Sequence, residues 1–185
     1  MKNKLWCRSI LAGILFMPLN IFAQLPPSGN YKVDVARSTV SFKIKNLGVV
    51  PVFGQFKFFS STVKIGDHLE ECSVTGSVDT ASIDTKIKMR DKDLKSNKFF
   101  NVEKYPEMTF KSAQITGTLD SFQMSGDLTI KDKTNPVVFD CKLIKDSDEF
   151  IAETKINRKN FNLMAGPTIS DELLIQMKIC LLKAE

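Results

Sequence analysis

The chain of 185 residues is 43% apolar and 25% charged, enough to bury one sizeable core and short of what two domains usually need. Its formal charge of +5 is partly local: Lys2, Lys4 and Arg8 lie within the first 23 residues, and beyond them 23 basic residues face 21 acidic ones, leaving +2. Such a near-neutral, interspersed surface lacks the basic stripe that nucleic-acid binding requires, so no nucleic-acid partner is expected.

The three cations precede an apolar run at residues 10–16, and the small residue Ala23 closes the segment, the pattern of a secretory signal peptide removed after position 23. Pro18 and Asn20 keep the run below the ~20 residues of a membrane span, so residues 24–185 are expected to form one domain without an integral membrane segment. Cys7 lies ahead of the apolar run, out of place for lipid attachment. Of the remaining thiols, Cys141 falls in phase with Val137, Phe139 and Leu143, and Cys72 with Val74 and Val78, as small buried hydrophobes do. One disulfide plus a spare thiol also fits an odd count of three, and sequence does not assign the pair.

Period-2 alternation predicts strands over residues 30–36 and 38–46, the latter with Val40, Phe42 and Ile44 on one face. Gly48 and Pro51 mark residues 47–53 as a compact apolar connection. In residues 54–65 the apolar parity switches from Phe56 and Phe58 to Phe59, Val63 and Ile65, which predicts a β-bulge. Gly66-Asp67 makes a turn, and residues 72–82 return. The period then changes: Ile87, Arg90, Asp91 and Leu94 recur at helical spacing, with Asp84 placed to cap the first turn. Beyond Phe99-Phe100 and Tyr105-Pro106, strands are predicted over 108–115, 122–130, 136–144, 150–158 and 173–182, with a hairpin turn at 132–135 and a loop at 159–167. Roughly eight short strands, one helix between the fourth and fifth and no βαβ rhythm give an all-β antiparallel barrel or sandwich.

Little here points to catalysis. His68 is the single histidine and sits in a predicted turn, so a His-rich metal cluster cannot form and no catalytic residue is assigned. Asp79, Asp84, Asp91 and Asp93 lie on strand ends and a Lys-rich helix, where carboxylates form surface ion pairs. No phosphate-binding loop, dinucleotide fingerprint or nucleophile elbow is present, and no cofactor or metal is implied. Binding fits better: an eight-stranded closed sheet has an interior that side chains fill or one ligand occupies. The fourteen phenylalanines and the methionines suit either a filled core or the lining of an elongated apolar cavity.

The run Arg90, Leu94, Lys95, Ser96, Phe99, Phe100, Tyr105, Pro106 and Phe110 resembles the signature of the YceI-like family of polyisoprenoid-binding proteins. YKVDVARSTVSFKIKNLG, GDLTIKDKTNPVVF and RKNFNLMAGPTISDELLIQMKICL are similar, in order, to that family's opening strands, central hairpin and closing segment. The resemblance spans residues 24–185. It implies an extended eight-stranded antiparallel lipocalin-like barrel in the periplasm, holding an isoprenoid or other long-chain amphiphilic lipid. The chain departs from the family pattern at Asn46 and Asp93, where relatives often carry histidine, and at Asp132-Lys133-Thr134, where they often carry a glycine turn.

On this reading Phe42, Phe56, Phe58, Phe110, Met124, Leu128, Phe139, Met177 and Ile179 are the expected tunnel lining, Phe99, Phe100 and Tyr105 shape its mouth, and Arg90, Lys95 and Lys98 engage a polar head by charge-assisted hydrogen bonds. An ion pair of Arg90 with Asp91 or Asp93 is the competing assignment. Two further readings stay open: an enzyme on an apolar substrate, requiring a carboxylate or lysine buried in the barrel, and a filled barrel that docks another protein through an exposed apolar patch. Exposed strand edges near the barrel ends leave room for a homodimer.

Overall fold

In the computed structural model, residues 24–144, 147 and 149–184 are described; residues 1–23, expected to be a signal peptide, lie outside them. Eleven antiparallel strands form one sheet: β1 (Gly29–Val33), β2 (Thr39–Asn46), β3 (Val50–Phe56), β4 (Phe59–Ile65), β5 (Ser73–Asp79), β6 (Ile83–Asp84), β7 (Glu107–Thr118), β8 (Ser121–Ile130), β9 (Lys133–Leu143), β10 (Glu149–Asn157) and β11 (Ile169–Lys183). The ring β1-β4-β5-β7-β8-β9-β10-β11 closes through pairing of β11 with β1. The architecture is therefore a closed eight-stranded antiparallel barrel with one helix, α1 (Lys88–Lys95), lying in chain order between β6 and β7.

Two walls of the barrel are broken in the middle, which is why eight walls contain more than eight strands. β11 pairs along its length first with β2 and then with β1, and β3 and β4 lie against β2 and β1 in turn. At the first break, Asp34 folds residues 34–37 into a tight turn by accepting from Ala36 N (3.0 Å) and Arg37 Nε (2.7 Å). The buried Ser38 hydroxyl then accepts from Cys180 N at 2.9 Å, filling the rung that the turn removes from the ladder. At the second break, Lys57 N donates to Ser82 O and to Ser82 Oγ (3.1 Å), and Ser82 Oγ donates to Asp79 O (2.6 Å). The parity switch in this stretch is real but takes the form of a broken wall at residues 57–58 rather than the expected bulge. A true register shift falls in β7, between Ser112 and Gln114.

Other boundaries also move. The expected connection at 47–53 is only a three-residue turn, with positive φ at Leu47 and Gly48; residues 50–53 belong to β3, and Val50 and Phe53 are exposed rather than crowded together. The central turn is Lys131-Asp132, with Lys131 at φ 59°, so Pro136 sits inside β9 opposite Asp127 and not after the turn. Asp84 does not cap α1. It ends β6 and pairs with Lys57 (2.9 Å) and Lys86 (3.1 Å), contacts that hold its carboxyl well below the usual range. Cys72, Cys141 and Cys180 are all free thiols.

The loop at residues 158–168 is held by one buried cation. Arg158 Nε donates to Ser170 O (3.0 Å), Nη1 to Leu163 O (2.9 Å), and Nη2 to Ile169 O (3.2 Å) and Asp171 Oδ1 (2.9 Å), while Phe161 is 1% exposed beneath it. Removing the guanidinium leaves these carbonyls without their donor, at about 1–3 kcal/mol for each group left buried and unpaired and partly relieved by water and loop movement. Arg158→Met is expected to lower unfolding free energy by about 3 kcal/mol in urea denaturation; a change under about 1 kcal/mol would contradict this assignment.

Candidate functional site

Along the inward faces, alternation of the strands leaves a cavity of about 620 Å³ running through the barrel. Its wall is almost wholly apolar. Regular strands contribute through one parity, β8 through Phe122, Met124, Leu128 and Ile130, β11 through Leu173, Ile175, Met177 and Ile179, whereas β7 changes parity from Met108 and Phe110 to Ile115 across its register shift. Between its outermost lining residues on β11, Ile169 and Leu181, the strand rises about 40 Å, and an ordinary barrel tilt reduces this to roughly 30 Å along the axis. Volume divided by that length gives a mean cross-section of about 20 Å², room for one hydrocarbon chain whose carbons keep about 4 Å from their neighbours.

Two devices keep this channel open yet bounded. Phe42 is paired in register with Gly54, and the Phe110 ring packs over Gly126, so both rings lie along the wall. A Cβ on Gly54 would approach the Phe42 ring within 2.3 Å, and one on Gly126 would meet the Lys111 carbonyl at 2.3 Å and the Phe110 ring at 2.7 Å. Edge-on contacts then fix the rings: Phe110 against Phe139 (5.2 Å, 79°), Phe56 against Phe100 (5.9 Å, 86°) and Phe122 against Phe150 (6.3 Å, 81°). At one end Leu25 and Leu69 cover the cavity, with Tyr31 Oη donating to Pro27 O (2.7 Å) to hold residues 24–28 in place. The other end opens between the 47–49 turn, α1 and the 163–169 loop, where lining residues Ile87, Met89 and Met164 are 51%, 78% and 65% exposed.

The piece beside this mouth, residues 80–106, leaves and rejoins the barrel at one place. Thr80, 1% exposed, donates its hydroxyl to Tyr105 O (2.8 Å) and Pro106 O (2.9 Å), while its N–H donates to Pro106 O. Within the loop Thr85 is the hub. Arg90 Nε donates to Thr85 Oγ1 and Nη2 to Thr85 O, both at 2.8 Å, and Thr85 N and Oγ1 donate to Asp91 Oδ1. Arg90 is thus fastened through Thr85 rather than paired directly with Asp91 or Asp93, and it still borders the cavity.

Of the residues expected from sequence, Phe42, Phe56, Phe99, Phe100, Phe110, Met124, Leu128, Phe139, Met177, Ile179 and Arg90 border this cavity. Phe58 does not: it falls at the broken wall after the parity switch and is 64% exposed. Tyr105 does not either, because its carbonyl is used by Thr80 and its ring lies 5.2 Å from Lys104 Nζ, away from the mouth. Lys95 and Lys98 sit on the last turn of α1 and beyond it, outside the lining, whereas Asp93 and Asn46 are within it. Reading by parity alone passed over Phe122 and Ile175, each in phase with a neighbour that was chosen, and also Phe59, Ile115 and Phe150, which have no chosen neighbour in phase: Phe59 follows the parity switch and Ile115 follows the register shift in β7. Met89 and Met164 carried no periodic signal. Among the described residues two buried polar atoms lack a protein partner, Asn46 Oδ1 and Ser61 Oγ, and both residues line the channel.

Burial raises the thiol pKa of Cys72, and pushes that of Cys141, the other cavity-lining cysteine, up to about 12; burial followed by Glu149 raises that of Cys180. Thiolate is the reactive form. Alkylation with iodoacetamide at pH 8 is therefore expected to modify half-buried Cys72 first and to reach Cys141 and Cys180 only after unfolding, as read by peptide mass spectrometry. Rapid labelling of Cys141 in the folded protein would contradict this geometry.

The YceI-like domain model matches residues 31–181. Protein YceI of Escherichia coli O157:H7 is 34% identical over 178 residues, covering 89% of this chain and 93% of its own. The crystal structure of Burkholderia cenocepacia BcnA superposes with a TM-score of 0.75 at 28% identity, covering 82% of this chain and 99% of that one. A polyisoprenoid binding domain from Saccharophagus degradans, implicated in plant cell wall breakdown, shares the fold with a TM-score of 0.64 at 13% identity, covering 83% and 98%.

Proposed function

The chain belongs to the YceI-like family, and from that premise we propose that it is a periplasmic carrier or reservoir for one long-chain isoprenoid or similar amphiphilic lipid held lengthwise in its barrel. The observation that carries this reading is the channel itself: apolar along its wall, about one chain wide and open at a single end. Its length of roughly 30 Å matches the hydrocarbon thickness of a whole bilayer, about twice the depth of one leaflet, which favours an elongated isoprenoid over an ordinary acyl chain. The solved relative described as polyisoprenoid-binding lends support from the same fold. Residues 1–23 carry the export pattern that goes with work in the periplasm.

At the mouth, Arg90 and Asp93 present one cation and one anion to the same opening. A polyprenyl phosphate would be drawn to the first and repelled by the second, whereas an uncharged hydroxyl, quinone or amide head can use Arg90 as a donor without that penalty. An uncharged or weakly charged head is therefore the better fit. The enzyme reading calls for a carboxylate or lysine buried in the barrel. Among the described residues, the lining offers one carboxylate, Asp93, exposed at the mouth, and no lysine; its other charged groups are Arg90 at the mouth and Arg158, committed to the loop carbonyls.

Gly76 offers a direct test, because it faces the channel with only Ser60 O near its Cβ position, at 3.7 Å. Gly76→Trp is expected to plug the channel while leaving a folded barrel. Organic extracts of natively purified wild-type protein should yield a long-chain lipid near one equivalent by mass spectrometry, and those of the variant less than a tenth of it. Extracts that repeatedly contain no lipid, or equal lipid in both proteins, would overturn the reading.

A further inference from the structure

We infer that the open end of the barrel is a docking surface for an anionic phospholipid bilayer, on which the protein stands mouth-down to exchange its cargo; this rests on the carrier reading above. Six apolar side chains ring the opening with large exposures: Leu47 (66%), Val49 (78%), Val50 (50%), Ile87 (51%), Met89 (78%) and Met164 (65%). They come from three separate elements, the β2–β3 turn, the start of α1 and the loop after Phe161. These meet at one rim, since Leu47 N donates to Thr168 O (2.7 Å) and Ile87, Met89 and Met164 line the same cavity mouth. None of these side chains supports the core. Long apolar side chains crowded around the one entrance to an apolar channel make a continuous path from a membrane interior to the cavity.

Charge identifies the partner. Residues 43–50 and 86–98, which build most of this rim and its flanks, carry eight basic and two acidic side chains, whereas the rest of residues 24–185 carries a net negative charge of four. Lys45, Lys88 and Lys92 are exposed beside the apolar group, and Lys43 Nζ lies 5.5 Å from the ring of Phe53 on the outer shoulder. Part of this charge is committed within the fold, because Lys86 pairs with Asp84 and Arg90 donates to Thr85. The remainder is a basic collar around an apolar tip, the arrangement by which an interfacial surface inserts side chains among acyl chains while its cations sit at anionic headgroups. A second copy of the chain would bring two such collars together and meet repulsion.

Vesicle flotation tests this with purified full-length protein and two probes, pure phosphatidylcholine and a mixture with one third phosphatidylglycerol. Wild-type protein should float with the anionic vesicles at least tenfold better than with the neutral ones, and lose most of that binding in 0.5 M NaCl through screening. Met89→Asp with Met164→Asp, both at exposed positions, should reduce binding tenfold or more at unchanged melting temperature. Val138→Asp with Leu182→Asp, exposed apolar positions on the wall and at the closed end, should leave it within twofold. Equal loss in both pairs, no preference for anionic vesicles, or a dimer that the rim substitutions dissociate would overturn the inference. Lipid content is measured on the same samples: absent flotation with a loaded channel refutes docking alone, and an empty channel refutes the carrier reading.

Discussion

Everything in this molecule hangs on ladder closure between β1 and β11, where Tyr31, Lys32 and Val33 pair with Lys183, Leu182 and Leu181. A closed sheet has no edge to protect and can therefore afford an interior that side chains do not fill. An open sandwich would have to press its two faces together. Closure is made by the shortest strand of the ring, one half of a broken wall, and the chain compensates for the missing rungs with serine hydroxyls: Ser38 against Cys180, Ser82 against Lys57. Both serines are buried although polar, because each replaces a backbone partner that the broken wall lost.

Given closure, channel width depends on which side chains face inward and how flat they lie. Glycines at 54 and 126 give the rings of Phe42 and Phe110 room along the wall, and a tilted contact of Phe42 with Phe56 and an edge-on contact of Phe110 with Phe139 stop those rings from swinging across. The same logic leaves polar atoms without protein partners where the channel needs them least crowded. Asn46 Oδ1 lies near the mouth and Ser61 Oγ along the wall of β4, opposite Gly76.

Sequence alternation was legible wherever one face of a strand meets the channel and the other meets water. That is why β8, β9 and β10 and most lining positions could be read directly. It failed where the backbone leaves regular geometry. Phe58 looked like its neighbour Phe56 until the wall broke between them, and Pro136 looked like the end of a turn although its missing N–H is tolerated inside β9. Asp84 has the chemistry of a helix cap, but Lys57, distant in sequence, claimed its carboxylate. Exposed methionines at the mouth have no periodicity at all, since they are held there by loops from different parts of the chain. The run from Arg90 to Phe110 was legible as a family signature, yet only the fold separates its parts: Arg90, Phe99 and Phe100 border the channel, while Tyr105 and Pro106 serve the Thr80 clasp.

The central claim is that one extended chain occupies the channel along its length, and titration calorimetry with a homologous series of linear isoprenoid alcohols tests it most directly. Each buried methylene is worth about 0.8 kcal/mol, so affinity should rise roughly fourfold per added carbon, less the cost of ordering the chain. It should then level off once the tail spans roughly 30 Å. Affinity that ignores chain length, or that peaks at a chain half as long, would contradict a lengthwise site.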